Sequence, residues 1–194
     1  MTLSSELRKA LRERRRRLDP GARAHASARV CRTLAATVAF RRARRLAVYL
    51  AKGGEVDLSG LVSRAWQAGK QCYLPALERG RLRFLPYAAD TVLRPNRYGI
   101  PEPVVAARAH APAATLDLVV LPLVGFDGTG HRLGMGGGYY DRTFAFHGRR
   151  LRWRRPLLIG AAYGFQRVPE LAANPWDVPL DAVATEEGLE WFRR

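Results

Sequence analysis

Cysteine is nearly missing from this chain of 194 residues: Cys31 and Cys72 are the only two. They form no metal-type pair and cannot make the disulfide framework of a small secreted domain, so a reducing cytoplasm is the expected setting. Lysine is almost as scarce, present only as Lys9, Lys52 and Lys70. None of the three falls in the glycine-dense stretch Gly125 to Arg142. That excludes a P-loop, whose grip on phosphate needs a Gly-Lys-Ser/Thr ending. The third glycine of a dinucleotide fingerprint is missing as well, because Tyr139 stands in its place. No apolar run approaches the roughly 20 residues of a membrane span, and the charged start has no apolar signal core. No Ser-His-Asp or Cys-His arrangement for a protein nucleophile stands out. Internal repeats and linker-like breaks are absent too, so residues 1–194 are expected to form one domain.

What the chain does have is apolar content and positive charge. Hydrophobic residues make up 47%, enough for a substantial core. Lys+Arg number 33 against 17 Asp+Glu, a formal +16 that attracts polyanions such as nucleic acid, nucleotides or polycarboxylated metabolites. Background amino-acid usage explains the skew toward arginine equally well, so charge alone does not select among them.

Apolar spacing predicts a first helix over Thr2 to Leu18, with Leu3, Leu7, Leu11 and Leu18 along one stripe. The run Arg14-Arg15-Arg16-Arg17 reads as a solvated face, with an anionic ligand for one or two of its arginines as the sharper alternative. Asp19-Pro20 supplies an N-cap and a proline at the first helical position of a second helix, whose buried edge is Ala22, Ala26, Val30, Leu34 and Val38. His25 and Cys31 on it read as structural.

The period then changes. Leu46 to Leu50 reads as a strand, Asp57 as the cap of a helix carrying Leu61, Val62, Ala65 and Trp66, and Cys72-Tyr73-Leu74 as a second strand ending before Pro75. Strand, helix, strand favours a parallel pair with a right-handed crossover. Glu55 would then sit at a strand's carboxyl end, where open α/β sheets bind ligands, although a surface carboxylate is an equal reading. Leu82 to Leu85 is a further strand, and Thr91 to Ala114, with four prolines, a long surface excursion. Strands follow at Leu116–Leu123, Pro156–Tyr163 and Ala182–Ala184, with a helix opening at Tyr139 to Phe146 and a basic connector over His147 to Arg155. The pattern is alternating α and β.

Gly125 to Arg142 is the stretch around which the rest is organised. It joins the apolar run Leu118-Val119-Val120-Leu121 to a helix start, where backbone N–H groups can converge on an anion. Arg132 and Arg142 add charge and Asp141 a hard oxygen ligand, so the loop can hold a phosphate and its metal together. A plain glycine turn is the alternative.

Several blocks then occur in order: Lys52-Gly53-Gly54-Glu55-Val56-Asp57, Tyr98-Gly99-Ile100-Pro101-Glu102-Pro103, Phe126-Asp127, Arg132-Leu133-Gly134 and Gly136 through Arg142. Ala162-Tyr163 with Gln166, and Trp176-Asp177 with Asp181, complete the series. From about Glu6 to Glu187 the chain resembles the 5-formyltetrahydrofolate cyclo-ligase (methenyltetrahydrofolate synthetase) family. The resemblance implies a three-layer α/β/α domain with a mostly parallel central sheet. It also implies a reaction using ATP as co-substrate and Mg²⁺ to turn 5-formyltetrahydrofolate into 5,10-methenyltetrahydrofolate. Arg132, Leu133, Gly134, Met135, Gly136, Gly137, Gly138, Tyr139 and Tyr140 look like the ATP loop, with Arg132 and Tyr140 catalytic. Met135 to Tyr139 would also face the folate, together with Glu55 and a wall around Leu50. Asp141 and Asp177 match the family's metal ligands. Arg8 aligns with a basic ATP contact, while Ser4 stands where many relatives have lysine, so either Arg8 suffices or Lys9 or Arg12 substitutes. Met135 and Gly137 replace basic residues of some relatives.

The expected partners are a folate and ATP, with a monomer and no membrane or nucleic acid. Two competitors are an RNA-binding protein, which the helix's lack of interleaved aromatics disfavours, and a folate sensor without turnover.

Overall fold

The computed structural model describes residues 3–106, 109–149 and 156–192. Among them a seven-stranded sheet runs in the order β11-β10-β9-β6-β1-β2-β3. Its strands are β1 (Arg45–Ala47), β2 (Gln71–Glu78), β3 (Arg81–Tyr87), β6 (Leu118–Pro122), β9 (Leu157–Ala161), β10 (Ala182–Thr185) and β11 (Gly188–Trp191). β2, β1, β6, β9 and β10 are parallel, and antiparallel β3 and β11 close the two edges. From β1 the chain goes outward to β2, then returns to place β6 on the other side of β1. The strand order therefore reverses between β1 and β6, and the loops leaving their carboxyl ends diverge there, opening the kind of crevice in which α/β sheets bind ligands.

Both sheet faces are buried, and the side chains sort by the period of two that a pleated strand imposes. Leu46, Leu118, Val120, Ile159, Ala182 and Ala184 point to a core shared with α2 (Pro20–Ala36), α3 (Val38–Arg42) and α4 (Ser59–Gln67). Ala47, Val119, Leu121, Leu158 and Val183 point the other way, onto Phe84, Phe126 and Phe144. That second face is covered by the six-residue α5 (Tyr139–Phe144), the 3₁₀ turn after it and loop segments. The expected layered, mostly parallel α/β architecture is present, with a thin outer layer on this side. Helix α1 (Leu3–Arg17) lies on neither face. Its Leu11 packs with Val124 and Leu133 just past the carboxyl end of β6, so α1 caps that end of the sheet.

Several expectations are corrected. Val38 is 51% exposed, because Thr37 ends α2 and its hydroxyl caps a separate α3 through the Phe40 N–H. β2 passes through Pro75 to Glu78, since β1 stops at the level of Tyr73 and leaves proline only one ladder neighbour. β1 itself is shorter than Leu46–Leu50; beyond Ala47 the chain is already turning into the crevice. The proline-rich excursion contains a two-stranded ribbon, β4 (Leu93–Pro95) with β5 (Pro101–Pro103), and Ala111 bridges back to Phe84. Edge-strand prolines are tolerated because a ribbon this short needs few N–H donors. Asp57 holds the start of α4 from one position farther out than expected, accepting the Ser59 N–H at 2.9 Å. Of the basic connector, residues 150–155 lie outside the described residues, whereas His147 is buried and bonded to the Pro156 carbonyl at 2.7 Å.

Candidate active site

The glycine stretch begins as a small hairpin, β7 (Gly125–Phe126) with β8 (Arg132–Leu133). Its turn is built around Asp127, which is 1% exposed. One Asp127 oxygen accepts the Thr129 N–H at 2.9 Å, the Thr129 hydroxyl at 2.7 Å and the His131 N–H at 3.1 Å; the other accepts the Leu171 N–H at 3.0 Å. Burial pushes the carboxyl pKa up, but these four donors outweigh it and hold the group below its usual value. Asp127 thus fixes the hairpin to the segment after β9.

Beyond Leu133 the backbone lies bare. A Cβ added at Gly134 or Gly136 would meet nothing within 4 Å, and Gly136 has φ +91°. Among the described residues, none of the N–H groups from Gly134 to Gly138 donates a hydrogen bond. Met135 stands 57% exposed on the crest. The loop is held from three sides. Arg8 of α1 donates from Nε to the Gly134 carbonyl at 2.8 Å. Arg142 donates to the Gly137 carbonyl and to Gly80 in the β2–β3 turn, each at 2.6 Å. Gly138 enters α5 in the left-handed region at φ +61°, with the Arg142 guanidinium 2.7 Å from where a Cβ would sit.

Arg132 and Asp141 form the charged floor. Arg132 Nη2 meets Asp141 Oδ1 at 2.5 Å, and its other nitrogen donates to the Val178 carbonyl. The same Asp141 oxygen accepts the Val178 N–H at 3.2 Å, which brings Asp177, one residue earlier, alongside. Asp177 uses Oδ2 to accept Asn174's backbone N–H at 2.9 Å and its side-chain amide at 3.2 Å. Asp141 Oδ2 and Asp177 Oδ1 take no hydrogen bond among the described residues. No group of three or more His, Cys, Asp and Glu is gathered for a metal among those residues. Two carboxylates with open oxygens suit a small hard cation that arrives with phosphate and water as its remaining ligands.

Across the crevice the loop after β1 presents Glu55, with Leu50 partly buried against the core behind it. Glu55 Oε2 accepts the Lys52 N–H at 3.1 Å, and Oε1 lies 3.5 Å from Arg15 Nη2. Desolvation raises the Glu55 pKa, against the Lys52 N–H and the Arg15 charge, which lower it. Tyr140, half-buried in the first turn of α5 and stacked on Phe144, has its phenol raised by burial first and by the Glu55 charge second.

Sequence reasoning missed three contributors. Arg15 belongs to a run that reads as a solvated face, with an anionic ligand for one or two of its arginines as the alternative; it is 4% exposed and pairs with a carboxylate of the protein itself. The signal was register: Leu7, Leu11 and Arg15 recur every four residues, on the buried stripe. Tyr98, at the tip of the β4–β5 ribbon, leans over the site, its hydroxyl 3.4 Å from that of Tyr139, while its carbonyl accepts from Lys52 Nζ. Asn96 shapes that tip, accepting the Tyr98 and Ile100 N–H groups at 2.9 and 3.1 Å.

The sequence model of the 5-formyltetrahydrofolate cyclo-ligase family matches residues 1–186. The chain belongs to this family. Among curated relatives, the 5-formyltetrahydrofolate cyclo-ligase of Escherichia coli K12 is 37% identical over 187 residues, covering 93% of this chain and 100% of that one. That of Haemophilus influenzae is 39% identical over 145 residues, 72% of this chain and 74% of its own. The NMR structure of Aquifex aeolicus 5,10-methenyltetrahydrofolate synthetase superimposes with a TM-score of 0.84 at 32% identity, over 100% of this chain and 94% of that chain. A Mycoplasma pneumoniae synthetase shares the fold at 23% identity and a TM-score of 0.75. As a cyclo-ligase family member the chain is an enzyme of the ligase type. Of the blocks that carry the resemblance, residues 53–55 and 132–141 are tied to α1 through Arg15 and Arg8, whereas Asp181 accepts the Leu158 N–H at 2.7 Å at the amino end of β9.

Proposed function

We propose that this family member converts 5-formyltetrahydrofolate to 5,10-methenyltetrahydrofolate, with ATP as co-substrate and ADP and phosphate released. The observation that carries this reading is the bare N–H array of Gly134 to Gly138, held by Arg8 of α1, with Glu55 paired to Arg15 of the same helix: an anion-binding loop and a carboxylate for N–H donors are tied to one element.

In this reading the loop N–H groups and Arg8 hold the triphosphate, and Arg132 neutralises charge on the phosphoryl group in flight. Glu55 accepts N–H donors of the pterin, with Leu50 and Tyr139 as walls, and so aims the formyl oxygen at the γ-phosphorus. The phosphoryl group passes to that oxygen. The substrate's own N10 then attacks the formyl carbon, the carbon–oxygen bond breaks, phosphate leaves and N10 gives up its proton. The nucleophile belongs to the substrate, so the protein's task is alignment and charge neutralisation. Tyr140, whose phenol burial raises further above its ordinary value, would serve in this reading as a hydrogen-bond donor to the substrate. Mg²⁺, held by Asp141 and Asp177, would screen the phosphate charges.

The test is direct. Purified protein mixed with folinate, Mg²⁺ and ATP should show the rising absorbance of the methenyl product, and none when ATP is left out. Folinate binding without ATP-dependent product would instead make the chain a sensor.

A further inference from the structure

We infer that Arg15, which no step of the proposed reaction uses, is a positioning residue that sets the ionisation and aim of Glu55. The inference rests on Glu55 being the folate-facing carboxylate.

Arg15 reaches out of α1 into the base of the crevice. Its Nε donates to the Gly53 carbonyl at 3.1 Å, its Nη1 to the Leu123 carbonyl at 3.4 Å, and its Nη2 lies 3.5 Å from Glu55 Oε1. One guanidinium therefore joins the loop after β1, the end of β6 and the carboxylate. These are the two sides of the switch point. The backbone fits as closely as the side chain: a Cβ on Gly54, at φ +82°, would come within 3.0 Å of the Arg15 carbonyl oxygen. The loop bearing Glu55 thus rests directly on α1 at this residue.

The two side chains are 5% and 15% exposed. Burial lowers the pKa of Arg15 and raises that of Glu55, so each charge is costly without the other. Other groups surround Glu55. Arg12 of α1 and Lys52 of its own loop favour its ionised form, while Glu55's charge in turn raises the phenols of Tyr49 and Tyr140. Arg15 is the side chain paired with its carboxylate. Removing Arg15 leaves the Lys52 N–H, among the described residues, as the remaining bond to a largely buried carboxylate, which then takes up a proton at higher pH and loses its acceptor role toward the pterin.

The experiment compares wild type, Arg15→Met, Arg15→Lys, Glu55→Gln and the double variant Arg15→Met/Glu55→Gln. Folinate and ATP KM and kcat are read for each, and the titration of the Glu55 carboxyl carbon by NMR for wild type, Arg15→Met and Arg15→Lys, which keep that carboxyl. Arg15→Met should raise folinate KM about tenfold or more, with ATP KM little changed, and should move the Glu55 midpoint upward. Arg15→Lys should restore part of both. In the Glu55→Gln background, Arg15→Met should add little, because its target is already gone. Additive losses, equal losses for ATP and folinate, or an unmoved Glu55 midpoint would overturn the inference. Failure of both Arg15 variants to fold would also overturn it, by making Arg15 a packing strut. If wild type neither binds nor converts folinate, the functional reading falls and the inference with it; if wild type turns over while the cycle is additive, the inference alone falls.

Discussion

Asp141 commits one carboxylate oxygen to Arg132 and to the Val178 N–H and leaves Oδ2 without a hydrogen bond among the described residues. Asp141→Asn keeps an acceptor for those two donors but removes the charge a cation needs. The fold should survive, while kcat falls by about 100-fold or more and the Mg²⁺ concentration for half-activity rises. Near-normal turnover by the folded variant would remove Asp141 from the metal. Arg132→Ala acts on the other half of the pair. Its kcat should fall and ATP KM should rise by about tenfold, with folinate KM rising much less, checked by varying each substrate in turn; equal rises in the two KM values would argue against a phosphate contact. Asp127 belongs to stability instead. Asp127→Asn disturbs four buried hydrogen bonds and should destabilise by about 1–3 kcal/mol, or roughly 2–4 °C of Tm per kcal/mol, read by thermal melting. Because its folded pKa is depressed, its contribution is present above the unfolded value of about 3.9 and is lost as pH falls through the folded one. The gap between wild type and variant should therefore close in acid.

Gly138 joins the bare loop to α5, and its left-handed φ makes that junction sensitive to any side chain. Gly138→Ala should lose about 1 kcal/mol from backbone strain and displace Arg142 from the Gly137 carbonyl. A Tm lower by a few degrees and an ATP KM raised more than folinate KM would confirm the coupling. Elements also differ in how far they could be read from the residues alone. The parallel strands announced themselves as apolar runs, since a strand buried on both faces has no polar side to interrupt it. β11 and the β4–β5 ribbon did not, because edge strands carry prolines, charges and exposed residues that look like loop. The strand-to-helix setting of the glycine loop was legible through its spacing, whereas spacing alone left Glu55 as readily a surface carboxylate. Arg15 was hidden because four consecutive arginines mask a periodicity that one of them obeys.

At the scale of the whole molecule, +16 is a field around the site as much as a sum over residues. Both proposed substrates are anions, so kcat/KM for folinate should fall as ionic strength rises from about 20 to 200 mM while kcat changes little. A kcat/KM insensitive to salt would mean that the field plays no part in capture. The same field would hold RNA weakly. Such binding should vanish at moderate salt and leave turnover untouched. Strong, salt-resistant RNA binding would revive a nucleic-acid role.

The contact between Arg8 and Gly134 spans 126 positions of the chain. During synthesis, α1 must therefore wait for 126 further residues before its partner at Gly134 exists. A nascent chain halted before Val124 would lack both Val124 and Leu133, the residues that bury Leu11, and should be the form that chaperones retain.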